Sequence, residues 1–300
     1  MTARAAWPII LWKTAGICLV LLAVVCASAA PRYSASGLVV QLDRPKKTLV
    51  VSCDAIPGVM DPMMMSFSVR NPNDLQGLQP GTKITFTIVA GKNSSFAETI
   101  HVVPFESLEP DPSEARRLKI LENAMKPQHL ASAVSVGDLV PDFSLTDQAG
   151  ASLALSQLRG KVVGVTFVYV RCPLPNYCFR LSSNFGRLQQ RFKSDMGRNL
   201  VLLTIIIDPV HDLPDAVSKY AHTWHADPNS WHFLIGSPEE VQTVCARFDM
   251  NYYPEEALLV HSFHTVLIDR SGRLAANIEG NEFTAKQLGD LVQVLLHKPN

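Results

Sequence analysis

From Ser36 to Val103 the chain is written in short stretches of apolar and polar residues broken by turn formers. Lys83-Ile84-Thr85-Phe86-Thr87-Ile88-Val89 shows the pattern most clearly: side chains alternate in polarity with the period of a strand that buries one face. Gly37–Leu42, Thr48–Cys53, Ser66–Val69 and Thr99–Val103 read as further strands. The turn signals are Asp43-Arg44-Pro45-Lys46-Lys47, Asn71-Pro72-Asn73 and Pro80-Gly81. Short strands packed this closely predict a small all-β barrel, OB-like in type.

The texture changes over residues 104–134. Glu109-Pro110-Asp111-Pro112-Ser113 is a stiff polar break, and Ser113 to Lys126 has the composition of a helix capped by Ser113 and closed before Pro127. This stretch is expected to be a linker carrying one helix. From residue 135 to 300, apolar strands alternate with amphipathic helices. Val162–Val170, Leu200–Ile207 and Thr265–Asp269 read as strands; Leu213–Trp224, Pro238–Asp249 and Thr284–Leu296 read as helices. That alternation predicts a layered α/β domain.

Residues 1–30 stand apart. Arg4 and Lys13 precede the apolar run Ala15–Val25, and Ala27-Ser28-Ala29 follows it, the order of a secretory signal peptide. Trp7–Trp12 is also apolar, so an uncleaved membrane anchor is the alternative. Cys26 is preceded by Val25 where a lipidated cysteine wants a small residue. Either way the remainder is expected outside the cytoplasm, in the periplasm or on the outer face of the inner membrane. The balance of 27 basic and 27 acidic residues gives no electrostatic footprint for nucleic acid.

Export gives the cysteines meaning. Beyond Cys18 and Cys26 of the leader there are four, Cys53, Cys172, Cys178 and Cys245, too few for a disulfide scaffold. Cys245 sits among Val241, Val244 and Phe248 of a predicted helix and reads as core. Cys172 and Cys178 follow a buried strand directly and open a helix, where a helix N-terminus stabilises a thiolate for attack or for metal ligation. The competing reading is a structural disulfide or a pair of buried thiols.

Several blocks around these cysteines resemble the Sco (SenC) family. They are Val136-Gly137-Asp138, Pro141-Asp142-Phe143-Ser144-Leu145, Leu158-Arg159-Gly160-Lys161, Phe167-Val168-Tyr169, Asp208-Pro209 with His211-Asp212-Leu213-Pro214, Trp231-His232-Phe233-Leu234, and His261-Ser262 before Leu267-Ile268-Asp269. The resemblance implies a thioredoxin-like fold and copper bound by Cys172, Cys178 and a distant histidine. It also implies delivery to the copper-A centre of cytochrome c oxidase, or a thiol-disulfide role toward the same centre. In an extended Val260–Leu267, His261 and His264 face opposite ways, so one of them at most meets the cysteines. The resemblance selects His261 and leaves His264 a structural role. The family's C-x3-C is C-x5-C here, with Phe179 in place of proline, which bears on affinity and reduction potential. Asp208 is expected either to orient a ligand or to cap the helix after Leu213.

A second cluster, Cys53 with Met60, Met63, Met64 and Met65, is dense in soft donors beside a turn. On a strand Met63 and Met65 share a face and Met64 points away. The stretch Ile56-Pro57-Gly58, Met60-x-x-Met63-x-Met65 and Phe67 resembles the copper-binding CusF family over residues 36–103, with Cys53 where that family has histidine. The resemblance implies a Cu(I) or silver site at Cys53, Met60, Met63 and Met65, with Cys53 approaching from across the barrel. A methionine-lined core with a buried thiol is the alternative.

Together these readings predict a copper metallochaperone. Its cargo is Cu(I), with Cu(II) an alternative at Cys172, Cys178 and His261. Its partner is a membrane oxidase subunit that receives the metal, and a thiol-disulfide reductant is a second partner. Relay between the two sites of the chain, or local buffering, is expected from their presence in one polypeptide. The rival is a thiol-disulfide oxidoreductase working through Cys172 and Cys178.

Overall fold

The computed structural model describes residues 30–91, 94–104, 133–173, 176–255 and 258–298. The leader and the helix expected over 113–126 lie outside these residues.

Five strands, β1 (Arg32–Asp43), β2 (Thr48–Cys53), β3 (Met63–Val69), β4 (Lys83–Ala90) and β5 (Ser95–Val102), close a barrel in the order β1-β2-β3-β5-β4. All pairings are antiparallel except β3 with β5. β1 is longer than its hydrophobic pattern suggests because it serves two partners. Arg32–Leu38 pairs with β4, Gly37–Asp43 pairs with β2, and a bulge between Val39 and Gln41 bends the strand between them. Val39, Leu49, Val51, Phe67, Ile84, Phe86 and Ile88 fill the interior. Phe67 and Phe86 meet edge to face at 5.1 Å.

The α/β domain contains a small hairpin of β6 (Ser144–Thr146) and β7 (Ser152–Ala154). Its main sheet uses β8 (Val162–Val168), β9 (Leu200–Ile206), β10 (Trp231–Leu234), β13 (His264–Ile268) and β14 (Leu274–Glu279), ordered β10-β9-β8-β13-β14. β8, β9 and β10 are parallel, and β13 runs antiparallel to β8. β8 and β9 are buried at every residue, which is why both read as unbroken apolar runs. Among the described residues four α-helices accompany the strands: α1 (Cys178–Arg191), α2 (Pro214–Thr223), α3 (Pro238–Arg247) and α4 (Ala285–His297). A two-stranded ribbon of β11 (Tyr252–Glu255) and β12 (Leu258–His261) completes the domain.

Helix boundaries follow local chemistry. Ser237 and Thr284 cap α3 and α4 through capping boxes with Glu240 and Gln287. α1 has no side-chain cap: its first residue is Cys178 and Tyr177 precedes it. Cys245 is buried on α3, in the core as its apolar neighbours suggested.

Candidate metal centres

β8 delivers the chain to the first centre, and two aspartates from the loop after β9 fix the exit. Asp212 Oδ2 accepts the Val170 N–H at 2.7 Å. Asp208 Oδ2 accepts from Arg171 Nη2 at 2.7 Å, while Arg171 Nε stands 3.6 Å from Asp212 Oδ1. Asp208 is therefore not a helix cap. The N-cap of α2 is Leu213, which makes no side-chain capping bond, and Asp208 instead holds the residue beside Cys172. The Cys172 N–H then folds back onto the Tyr169 carbonyl at 3.3 Å.

Cys178 is buried, Cys172 is partly exposed, and the two thiols are hydrogen-bonded to each other. That bond, together with burial, pushes the Cys178 thiol well above its ordinary value, so it is protonated at neutral pH. Cys178 Sγ lies 3.8 Å from His261 Nε2. Among the described residues no three His, Cys, Asp or Glu side chains are already closed into a metal cage. Cys178 and His261 are in contact.

His261 ends β12 and is only 4% exposed. Its Nδ1–H donates to the Ser262 carbonyl at 2.8 Å, a tautomer that leaves the Nε2 lone pair toward Cys178. Burial lowers its pKa to about 4, so the ring is neutral at physiological pH, as a metal ligand must be. Phe263 and Tyr169 pack against the ring at 4.5 and 5.9 Å. The strand period does not run through this segment. β12 stops at His261 and β13 begins at His264, so the ribbon and the main sheet meet where one extended stretch was expected. His264 Nδ1 is 3.0 Å from Asn277 Oδ1, on the next strand.

The second centre is built on the β2–β3 connection. Ile56-Pro57-Gly58-Val59 forms a tight turn closed by the Val59 N–H to the Ile56 carbonyl at 2.9 Å. Gly58, at φ +73°, takes the position that disfavours side chains. Ile56 and Met60 then exchange two backbone bonds of 2.9 and 3.0 Å, returning Met60 to the barrel. β3 starts at Met63, so the methionine run is itself strand. Met63 pairs with Cys53 and Met65 with Val51. Cys53 and Met63 are thus neighbours on adjacent strands, which corrects the expectation that Cys53 reaches from across the barrel.

Cys53 is 1% exposed and Met63 is 47% exposed, so the donors run from the barrel interior to its surface. Met60 and Met65 pack on the barrel core between these extremes. Met64 pairs with Ser52 on the opposite face. Burial pushes the Cys53 thiol up to about 12, and the charge of Asp54 adds to the shift. Burial also acts against ionising Asp54, but hydrogen bonds from Lys83 and Ser36 outweigh it and hold that carboxyl below its usual value. Thioethers with a thiolate, and imidazole with thiolates, are both donor sets for a soft ion such as Cu(I).

Comparison with known proteins agrees with both halves. Residues 132–296, more than half of the chain, match the family model described as SCO1/SenC, and residues 32–101 match the copper binding periplasmic protein CusF. A SCO1 protein homolog of Bacillus subtilis is 24% identical over 149 residues, covering 48% of this chain and 76% of that protein. An SCO2-like protein of Rickettsia typhi is 25% identical over 140 residues, covering 44% of this chain and 65% of its own length. The structure of Bradyrhizobium japonicum ScoI with copper bound is similar at 23% identity and a TM-score of 0.43, over 53% of this chain and 99% of that one. The α/β domain thus corresponds to the SCO1/SenC match and the closed barrel to the CusF match.

Proposed function

The chain belongs to the SCO1/SenC family, and on that premise we propose that it is an exported copper chaperone that holds Cu(I) and delivers it to a respiratory oxidase, at the copper-A centre. The observation that carries this reading is the 3.8 Å contact of Cys178 Sγ with a neutral His261 whose Nε2 is directed to it. In the loaded state Cys172 and Cys178 supply thiolates and His261 the imidazole; Cu(II) suits the same set. Cys53, Met60, Met63 and Met65 hold a second ion, for which thioether donors favour Cu(I) or silver. Export is supported by the signal-like order of residues 1–30 and places the protein in the periplasm or on the outer face of the inner membrane.

One observation favours a second reading, a thiol-disulfide oxidoreductase: the two thiols already share a hydrogen bond. There Cys172, the more exposed, attacks a disulfide on the oxidase subunit, and Cys178 resolves the mixed disulfide. Two partner thiols leave reduced, and the Cys172–Cys178 disulfide awaits an external thiol reductant.

Anaerobic titration of the reduced protein with Cu(I) against a competing chelator separates the two. The chaperone reading expects two tight equivalents, falling to one in Cys172→Ser/Cys178→Ser and to one in Cys53→Ser. An undiminished copper capacity in the double variant would transfer the function of that pair to redox chemistry.

A further inference from the structure

The direction in which each donor set faces decides whether the two sites of one chain can share an ion. Alternate residues of β1 and β2 are divided between two cores. Ala35, Val39, Leu49, Val51 and Cys53 belong to the barrel interior. Leu38 and Val40 are buried in the core of the thioredoxin-like domain, and Val50 packs against it. Ser52 follows this second set. It is fully buried, and its hydroxyl donates to Asp290 Oδ2 on α4 at 2.7 Å.

The residues flanking Cys53 are clamped to the same helix. Gln287 Nε2 donates to the Ser52 carbonyl at 3.3 Å and to Asp54 Oδ1 at 2.9 Å. Asp290 is held in turn by Arg191, the last residue of α1, at 2.8 Å and by Lys286 at 2.7 Å. Successive side chains of a strand leave opposite faces, so a clamp on Ser52 and Asp54 turns Cys53 away from α4. Met63 and Met65 share the face of Cys53 through their pairing with Cys53 and Val51. Cys178 is buried in the other core, to which Leu38 and Val40 also belong, and Cys172 packs against it.

Passing a metal by ligand exchange needs donors of both sets on one ion at once. The clamp forbids that within a molecule. We infer that copper does not move directly between the two sites of one chain and that exchange between them runs from molecule to molecule. The inference rests on copper binding at both sites. Exposed apolar side chains suited to an encounter lie near each donor set in sequence, Val59 and Met63 on the barrel and Phe179 next to Cys178. The transfer is of Cu(I) without change of oxidation state. From barrel to cysteine pair, the Cys172 and Cys178 thiols shed two protons as they bind the ion; one is taken up by the departing Cys53 thiolate and the other passes to solvent.

The test follows copper arrival at the cysteine pair by tryptophan fluorescence, since Trp224 and Trp231 both lie in the thioredoxin-like domain. A Cys172→Ser/Cys178→Ser chain carrying one Cu(I) in its barrel is mixed with metal-free Cys53→Ser/Met63→Ala/Met65→Ala. In parallel, unmodified protein receives one equivalent of Cu(I) and its redistribution is timed at two concentrations tenfold apart. The expected result is transfer in the mixture, and a redistribution rate in unmodified protein that changes about tenfold with concentration. A rate unchanged by dilution overturns the inference, as does a mixture that never exchanges. Failure of either single-site variant to bind copper overturns the function and the inference together, and is seen before any mixing.

Discussion

Cys178 and His261 lie 83 positions apart in sequence, yet Sγ and Nε2 stand 3.8 Å apart in a buried contact. The helix start that places the thiol and the ribbon end that places the imidazole belong to separate elements, and each is fixed by its own backbone contacts. The imidazole is oriented by the Ser262 carbonyl and enclosed by Tyr169 and Phe263.

That enclosure makes stability sensitive to acid. His261 titrates near 4 in the folded chain against 6.5 for an ordinary histidine. Below pH 6.5 the unfolded chain takes up a proton that the native chain refuses. The contribution is complete above that pH and falls as pH drops toward 4, by about 3 kcal/mol in all. Urea midpoints of the metal-free protein and His261→Gln at pH 7 and 4.5 measure it. The loss attributable to this residue should vanish in the variant, and equal losses in both proteins would mean that the ring is not held neutral.

Copper affinity at the barrel should rise with pH. The Cys53 thiol, pushed up to about 12, carries its proton throughout the working range, so each metal bound releases one. Affinity is then expected to increase about tenfold per pH unit between about pH 6 and 9. Competition titrations on Cys172→Ser/Cys178→Ser isolate this site. A flat profile would remove Cys53 from the ligand set.

Gly37 pairs with Cys53 across β1 and β2. A Cβ at residue 37 would stand 2.6 Å from the Ser52 carbonyl oxygen and 2.6 Å from Val51 Cγ1. Gly37→Ala therefore forces the strands apart beside the thiol. Overpacking of this kind costs about 1–3 kcal/mol. Copper binding in the barrel should weaken while the Cys172–Cys178 site keeps its equivalent, as read by metal titration of each single-site background.

Ser52→Ala removes one arm of the clamp and leaves Asp290 with Arg191 and Lys286. A hydrogen bond to a charged group is worth about 1.5–3 kcal/mol. Hydrogen exchange should accelerate in β2 and in the first turns of α4 and stay unchanged at β8 and β9. Acceleration spread evenly over the chain would argue against a local clamp.

Much of this architecture is legible in the sequence because burial writes a period. β4 alternates and β8 is continuously apolar, so both announce their environments, and the cysteine pair is found by following β8 to its end. β3 hides its start because Met63, Met64 and Met65 are apolar on both faces. β14 keeps a weak alternation of Leu274, Ala276 and Ile278, diluted by two alanines among six residues. The ribbon break at Ser262-Phe263 defeats a strand-period choice between His261 and His264, and the family resemblance makes that choice instead. Asp212, which anchors Val170, and the Ser52–Asp290 bond join residues 42 and 238 positions apart. Contacts at that range leave no local pattern, so the clamp belongs to the structure alone.

The central claim is that Cys172, Cys178 and His261 hold one copper ion together. X-ray absorption on Cys53→Ser carrying a single equivalent of Cu(I) tests it most directly. The account predicts a mixed shell of sulfur with an imidazole nitrogen, the nitrogen signal disappearing in Cys53→Ser/His261→Ala and tight binding disappearing in Cys53→Ser/Cys172→Ser/Cys178→Ser. An all-sulfur shell unaffected by loss of His261, or copper retained without the cysteine pair, would contradict it.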